Sequence, residues 1–137
     1  RGRPVMTFER INPPDMGAPR GFSHAVVSNR ARTVFLAGQT ALDASGAIIQ
    51  GGIVEQFEQA FANLLRALNA SGGTPDDLVT VTIYIVDMED YLAHAREIGQ
   101  VWRRLAGTEY PAMAGIGVPR LWDVEALVEI QGIASLD

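Results

Sequence analysis

A chain of 137 residues with 47% hydrophobic and 20% charged side chains has the size and balance of one globular domain with a single core, which excludes a disordered or disulfide-stapled protein. Its net charge of −5, from 11 basic and 16 acidic side chains, carries no basic stripe, so nucleic acid is not an expected partner, since phosphate contacts supply most of such affinity. With no cysteine and only His24 and His94 as histidines, thiolate chemistry and histidine metal cages are excluded together, and no metal or other cofactor is expected.

Taken in order, residues 1–5 lack the apolar stretch of a secretory signal and read as a leader before Met6, so a cytoplasmic protein is expected. No apolar run reaches the roughly 18 residues that a membrane span requires, so no membrane partner is expected. Thr7–Ile11 carries a weak strand pattern. His24–Ser28 and Thr33–Ala37 read as strands, joined through Asn29-Arg30-Ala31-Arg32 as a hairpin. Gly46 and Gly51-Gly52 mark turns. From Ile53 to Ala70 the apolar residues Ile53, Phe57, Phe61, Leu64, Leu65 and Leu68 recur at three- and four-residue steps, the period of an amphipathic helix. Gly72-Gly73 and Pro75 stop it. Leu78–Val86 alternates Val79, Val81, Ile83 and Ile85 with Thr80, Thr82 and Tyr84, which is a strand with two unequal faces. A second helix is predicted from Tyr91 to Leu105, with Asp90 as its N-cap and Gly107 as its end. Met113–Val118 and Ala126–Ala134 close the chain as strands.

Strands flanking helices imply parallel pairing and terminal strand pairs imply antiparallel pairing, so the expected fold is α/β (α+β): one domain over residues 1–137, with a six-stranded mixed sheet and both helices on one face. The opposite face, with Thr80, Thr82, Tyr84, Leu127 and Ile133, has no third layer to cover it. Monomers seldom expose such an area, and a homo-oligomer follows as an expectation.

Glu129 is the sharpest candidate for chemistry, a carboxylate inside the apolar run Ala126–Ile130. A solvated edge-strand acid is the commoner explanation from pattern alone. Gly115 and Gly117 would let the backbone approach a ligand or a neighbouring subunit. They open no phosphate loop, because Val118-Pro119 follows them instead of a helix. Ser23, His24 and Asp43 suggest a hydrolytic triad only superficially, since adjacent strand residues point to opposite faces. His94 reads as a surface histidine.

Several segments together resemble the RidA/YjgF imine-deaminase family. Gly21-Phe22-Ser23-His24-Ala25-Val26 resembles its GPYSQAV, Val34-Phe35-Leu36-Ala37-Gly38-Gln39 its VYLSGQ, and Gly52-Ile53-Val54-Glu55-Gln56 its GGIEEQ. Asn63-Leu64, the stretch from Asp76 to Met88, Tyr110-Pro111-Ala112 and Leu127-Val128-Glu129-Ile130 match further family segments in the same order. The resemblance spans about residues 18–135.

It implies a chorismate-mutase-like homotrimer with small-molecule clefts between adjacent subunits. In active members an arginine after Pro-Ala grips the substrate carboxylate through its planar fork, and an acid on the last strand handles the attacking water. The acid position is Glu129. The arginine position is Met113, which can neither donate a hydrogen bond nor neutralise a carboxylate. The family's tyrosine falls on Phe22, its serine before Gly-Gln on Ala37, and a helix asparagine on Ala95. A greasier cleft is therefore implied, with Glu129 as the acid–base group and with Phe22, Ala37, Gly38, Met113, Ala114 and Gly115 around the ligand. Arg120, shortly after the strand, is a candidate replacement for the missing arginine. The expected function is small-molecule binding with hydrolysis or deamination at Glu129, but without ordinary turnover of 2-aminoacrylate-type imines. The alternative is a binding trimer without catalysis, and a ribonuclease or translation inhibitor is the least expected reading.

Overall fold

A computed structural model describes residues 8–137; the leader over residues 1–5 and the first residue of the Thr7–Ile11 pattern lie outside the described residues. The elements are β1 (Phe8–Ile11), β2 (Ala25–Ser28), β3 (Arg32–Gln39), α1 (Ile53–Ala70), β4 (Leu78–Ile85), α2 (Met88–Ala93), α3 (Ala95–Ala106), β5 (Ala112–Gly117) and β6 (Val128–Leu136).

The apolar stripe of α1 forms the middle of the core. Phe57, Phe61, Leu64 and Leu68 are at most 1% exposed, and each such side chain contributes about 1.5–3 kcal/mol on leaving water. They lie on Val81, Ile83 and Ile85 of β4 and on Val128, Ile130 and Ala134 of β6. The period of two along these strands sends Thr80, Thr82 and Tyr84, and opposite them Ile133, Gln131 and Glu129, to the other face. α3 joins the same layer through Ile98, Val101 and Trp102. Both long helices thus cover one side of a mixed sheet, as predicted.

The strand count holds, but the single six-stranded sheet does not form. β3, β6, β4 and β5 make one sheet in that order, parallel only between β4 and β5, while β1 and β2 make a separate antiparallel ribbon. The hairpin predicted between His24–Ser28 and Thr33–Ala37 is absent: β2 pairs with β1, and β3 pairs with β6. Arg30 is instead drawn inward, where its guanidinium binds Asp77, donates to the Ser135 carbonyl at 3.2 Å and lies over the Phe8 ring. β2 consequently crosses one end of the sheet, from a bridge between Ser23 and Ala112 to the Ser28–Ser135 hydroxyl contact at 2.9 Å.

The second predicted helix is also divided. α2 starts earlier than expected, capped by Asp87, whose carboxylate accepts from the Asp90 amide at 3.1 Å; Asp90 is not the cap. His94 then leaves helical geometry, with its Nδ1 2.8 Å from the Asp90 carbonyl oxygen, and α3 restarts behind it. Leu127, expected on the uncovered face, precedes β6 and packs against the core. Among the described residues no helix is long and apolar enough to cross a membrane.

Candidate functional site

The candidate residues fall into two groups on opposite faces of the sheet. On the uncovered face, Glu129 projects from β6 between the fully buried Val128 and Ile130, in register with Tyr84. Its carboxylate packs against the backbone of Gly38, where β3 slips register against β6. A β-carbon on Gly38 would lie 2.0 Å from Glu129 Oε2, so only glycine admits this placement. The approach to β6 is held from the helix layer. Gln56, buried on α1, accepts from the Leu127 amide at 2.8 Å and donates to the Glu125 carbonyl at 3.1 Å. Asn63, two turns on, donates to the carbonyls of Thr40 and Leu42 at 3.1 and 2.9 Å, and so fixes the chain that leaves β3.

On the helix-covered face, Met113 projects from β5 into the wall that two neighbouring hollows share. The smaller, about 190 Å³, lies between the sheet edge and α3 and is lined by Phe57, Ile83, Tyr91, Ala95, Ile98, Gly99, Trp102, Arg103, Tyr110 and Met113, with Gly21. The wider, about 300 Å³, adds Phe22, Ile85, Ala114 and Gly115 to Gly21, Ile83, Tyr91 and Met113, which the two share. The walls are mostly hydrocarbon and aromatic. Burial pushes the Tyr91 hydroxyl up to about 12, so it is a proton donor across the ordinary pH range. Trp102 stacks on Phe61 with ring centres 4.3 Å apart, and its indole N–H is the one buried side-chain donor lacking an acceptor among the described residues.

Of the residues singled out from sequence, Phe22, Met113, Ala114 and Gly115 gather around the wider hollow, with Ala95 beside Met113 in the smaller one. Gly38 and Glu129 meet on the other face, and Ala37 is exposed next to them on β3. Arg120 joins neither group: its guanidinium turns back on its own loop, donating to the Leu121 and Trp122 carbonyls at 3.0 and 3.1 Å. Ser23, His24 and Asp43 do not converge. The Ser23 hydroxyl donates to the Tyr110 carbonyl at 2.8 Å, His24 Nε2 lies 2.8 Å from the Gly17 carbonyl oxygen, and Asp43 accepts from Ser45 and Ala47 in its own turn. Sequence reasoning missed Tyr91, Gly99 and Arg103 as wall residues. Their steps of four and eight from Ala95 and Tyr91 put them on one helical side, a signal hidden by the break at His94.

Comparison with known proteins agrees with this architecture. The endoribonuclease L-PSP family model matches residues 14–136. The chain is 33% identical over 102 residues to a RutC family protein of Pyrococcus horikoshii, covering 74% of this chain and 77% of that protein. It is 32% identical over 114 residues to the goat (Capra hircus) 2-iminobutanoate/2-iminopropanoate deaminase, covering 82% and 78%. A Rid-family protein of unknown function from Yersinia pestis superposes with a TM-score of 0.86 at 36% identity, over 96% of this chain and all of that one. RidA from an Antarctic Psychrobacter superposes at 0.66 with 26% identity, covering 98% of this chain and all of that one. The chain belongs to the RidA/YjgF superfamily, whose matching family model carries the endoribonuclease L-PSP name.

Proposed function

We propose that this protein binds a small molecule in clefts completed between the subunits of a homotrimer, one subunit supplying the Met113 hollow and its neighbour supplying Glu129 as the acid–base group of a hydrolytic or deaminating step. The observation that carries the reading is the opposed placement of Met113 and Glu129: β4 and the thickness of the sheet separate them within one chain. A single subunit therefore cannot bring both to one ligand. The imine-deaminase names of relatives support the reaction class, and the half-covered face with Tyr84, Ile133 and the 77%-exposed Phe35 supports association.

The substrate differs from theirs. A thioether at residue 113 offers neither charge nor donor to a carboxylate in the position where the family places arginine, and Phe22 and Ala95 extend the apolar wall. A short imino acid such as 2-aminoacrylate would lose its ion pair there, while an apolar body gains surface burial. Those apolar walls equally favour a second reading, in which the trimer holds its ligand without turning it over.

A coupled assay with freshly generated 2-aminoacrylate separates these outcomes. The wild type is expected to stay near the uncatalysed background, and native mass spectrometry of protein purified from its own source is expected to find a molecule with an apolar body retained. Rapid turnover that Glu129→Gln abolishes would overturn the substrate assignment, and retention of a ligand that the wild type itself leaves chemically unchanged would favour the binding trimer.

A further inference from the structure

We infer that Arg103 serves as a displaced anion anchor, so that the ligand of the Met113 hollow is an amphipathic acid: one aromatic ring or an equivalent branched hydrocarbon, carrying its carboxylate at the α3 rim and away from residue 113. The inference rests on the proposal that this hollow is the ligand site.

Arg103 is the one cationic side chain lining the smaller hollow, which otherwise presents Phe57, Ile83, Ile98, Trp102 and Met113. It carries no ion pair and no side-chain hydrogen bond among the described residues, whereas the adjacent Arg104 is held by Glu58 at 2.8 Å. A basic residue in the last turn of a helix is ordinarily explained by the helix dipole, and Arg104 satisfies that explanation without facing the hollow. Arg103 does more. Its Nη1 lies 3.3 Å from where a β-carbon on Gly99 would stand, so the guanidinium folds back along α3 over the missing side chain one turn earlier. Gly99 itself lines the hollow, and a glycine in a helix interior is otherwise unfavourable.

The dimensions fit one ring. About 190 Å³ is slightly more than the roughly 150 Å³ of an apolar cavity that accommodates benzene. With the ring against Trp102 and Met113, an attached carboxylate emerges where the exposed guanidinium can receive it through two parallel N–H donors. An anion at this rim stays partly solvated, so its desolvation penalty is small compared with burial beside Met113. Arg120 does not take this part, because it does not line the hollow and its guanidinium turns back on the Leu121 and Trp122 carbonyls.

Calorimetric titration of the intact protein with 3-phenylpropanoate and with its neutral isostere 3-phenylpropanamide tests the assignment. The acid is expected to bind about tenfold more tightly than the amide at low salt. Arg103→Gln should erase that ratio by weakening the acid alone, and Arg104→Gln should preserve it. Equal affinities in the wild type, or an unchanged ratio in Arg103→Gln, overturn the anchor while amide binding keeps the apolar cleft intact. Failure of both compounds to bind at millimolar concentration overturns the anchor together with the cleft.

Discussion

Nothing larger than hydrogen fits between the Gly38 α-carbon and the Glu129 carboxylate, because a methyl group there would overlap Oε2 at 2.0 Å. The obstruction is the far end of a flexible side chain, so Gly38→Ala is expected to displace the carboxylate with little damage to the fold. Thermal unfolding should place the stability change within about 1 kcal/mol, while any turnover or ligand affinity that depends on Glu129 falls as far as it does in Glu129→Gln. A variant that unfolds, or one that retains full Glu129-dependent function, contradicts this account.

Gln56 satisfies two main-chain groups of the segment entering β6. Gln56→Ala removes the side-chain partner of the half-buried Leu127 amide and of the carbonyl of exposed Glu125, about 1 kcal/mol for each hydrogen bond, and empties the space of a buried side chain. Urea denaturation should report a loss of about 2–4 kcal/mol, far more than a surface glutamine would give. Amide exchange at Leu127 should rise with it.

Tyr91 gives a pH signature. Its folded-state pKa is raised from 10.0 to about 12 by burial, so the folded protein keeps a proton that the unfolded chain releases between those values. The contribution to stability is complete below pH 10 and is lost as pH rises through about 12. In an ultraviolet tyrosinate titration, a component near pH 12 should be present in the wild type and missing in Tyr91→Phe. Ligand filling the hollow should delay that component further, since it removes the remaining water around the hydroxyl.

Phe35 lies on β3 in register with Ile133 and is 77% exposed in the single chain. Light scattering of the wild type is expected to give the mass of three subunits. Phe35→Glu would bury a charge against an apolar neighbour in such an assembly, and it should shift the mass toward one subunit while far-ultraviolet circular dichroism stays unchanged. A wild type that already runs as one subunit at micromolar concentration removes the basis of the shared cleft.

The parts of this fold that were legible from sequence are those governed by strong local periodicity. α1 matches its predicted limits because Ile53, Phe57, Phe61, Leu64 and Leu68 repeat on one side, and β4 stands one residue from its prediction because Val81, Ile83 and Ile85 alternate with polar neighbours. Strand pairing was less accessible. The fate of β2 depends on Arg30 reaching Asp77 and Ser135, residues 47 and 105 positions away, and no local pattern encodes that reach. The break at His94 likewise depends on a ring nitrogen meeting the Asp90 carbonyl oxygen. Among the candidate residues, Glu129 and Met113 stood out by type and by likeness to a family pattern. Gln56 and Asn63 belong to the same matched segments, yet their work as clamps on main-chain groups became visible only with the fold. Arg103 carried no local signal that separates it from Arg104, because the difference between them lies in what each side chain faces.

Met113 and Glu129 face opposite sides of the sheet within one chain, and this placement bears on mixtures of subunits. In the proposed trimer, a chain carrying Glu129→Gln still offers an intact Met113 hollow, and a chain with that hollow blocked still offers an intact Glu129. Co-assembled, the two defective chains would place a sound hollow of one against a sound carboxylate of the other, and some clefts would recover a competence that neither homotrimer has. Genetic complementation between defects in a single gene would thus arise in the proposed trimer from geometry alone, because there each cleft draws its hollow and its carboxylate from different chains.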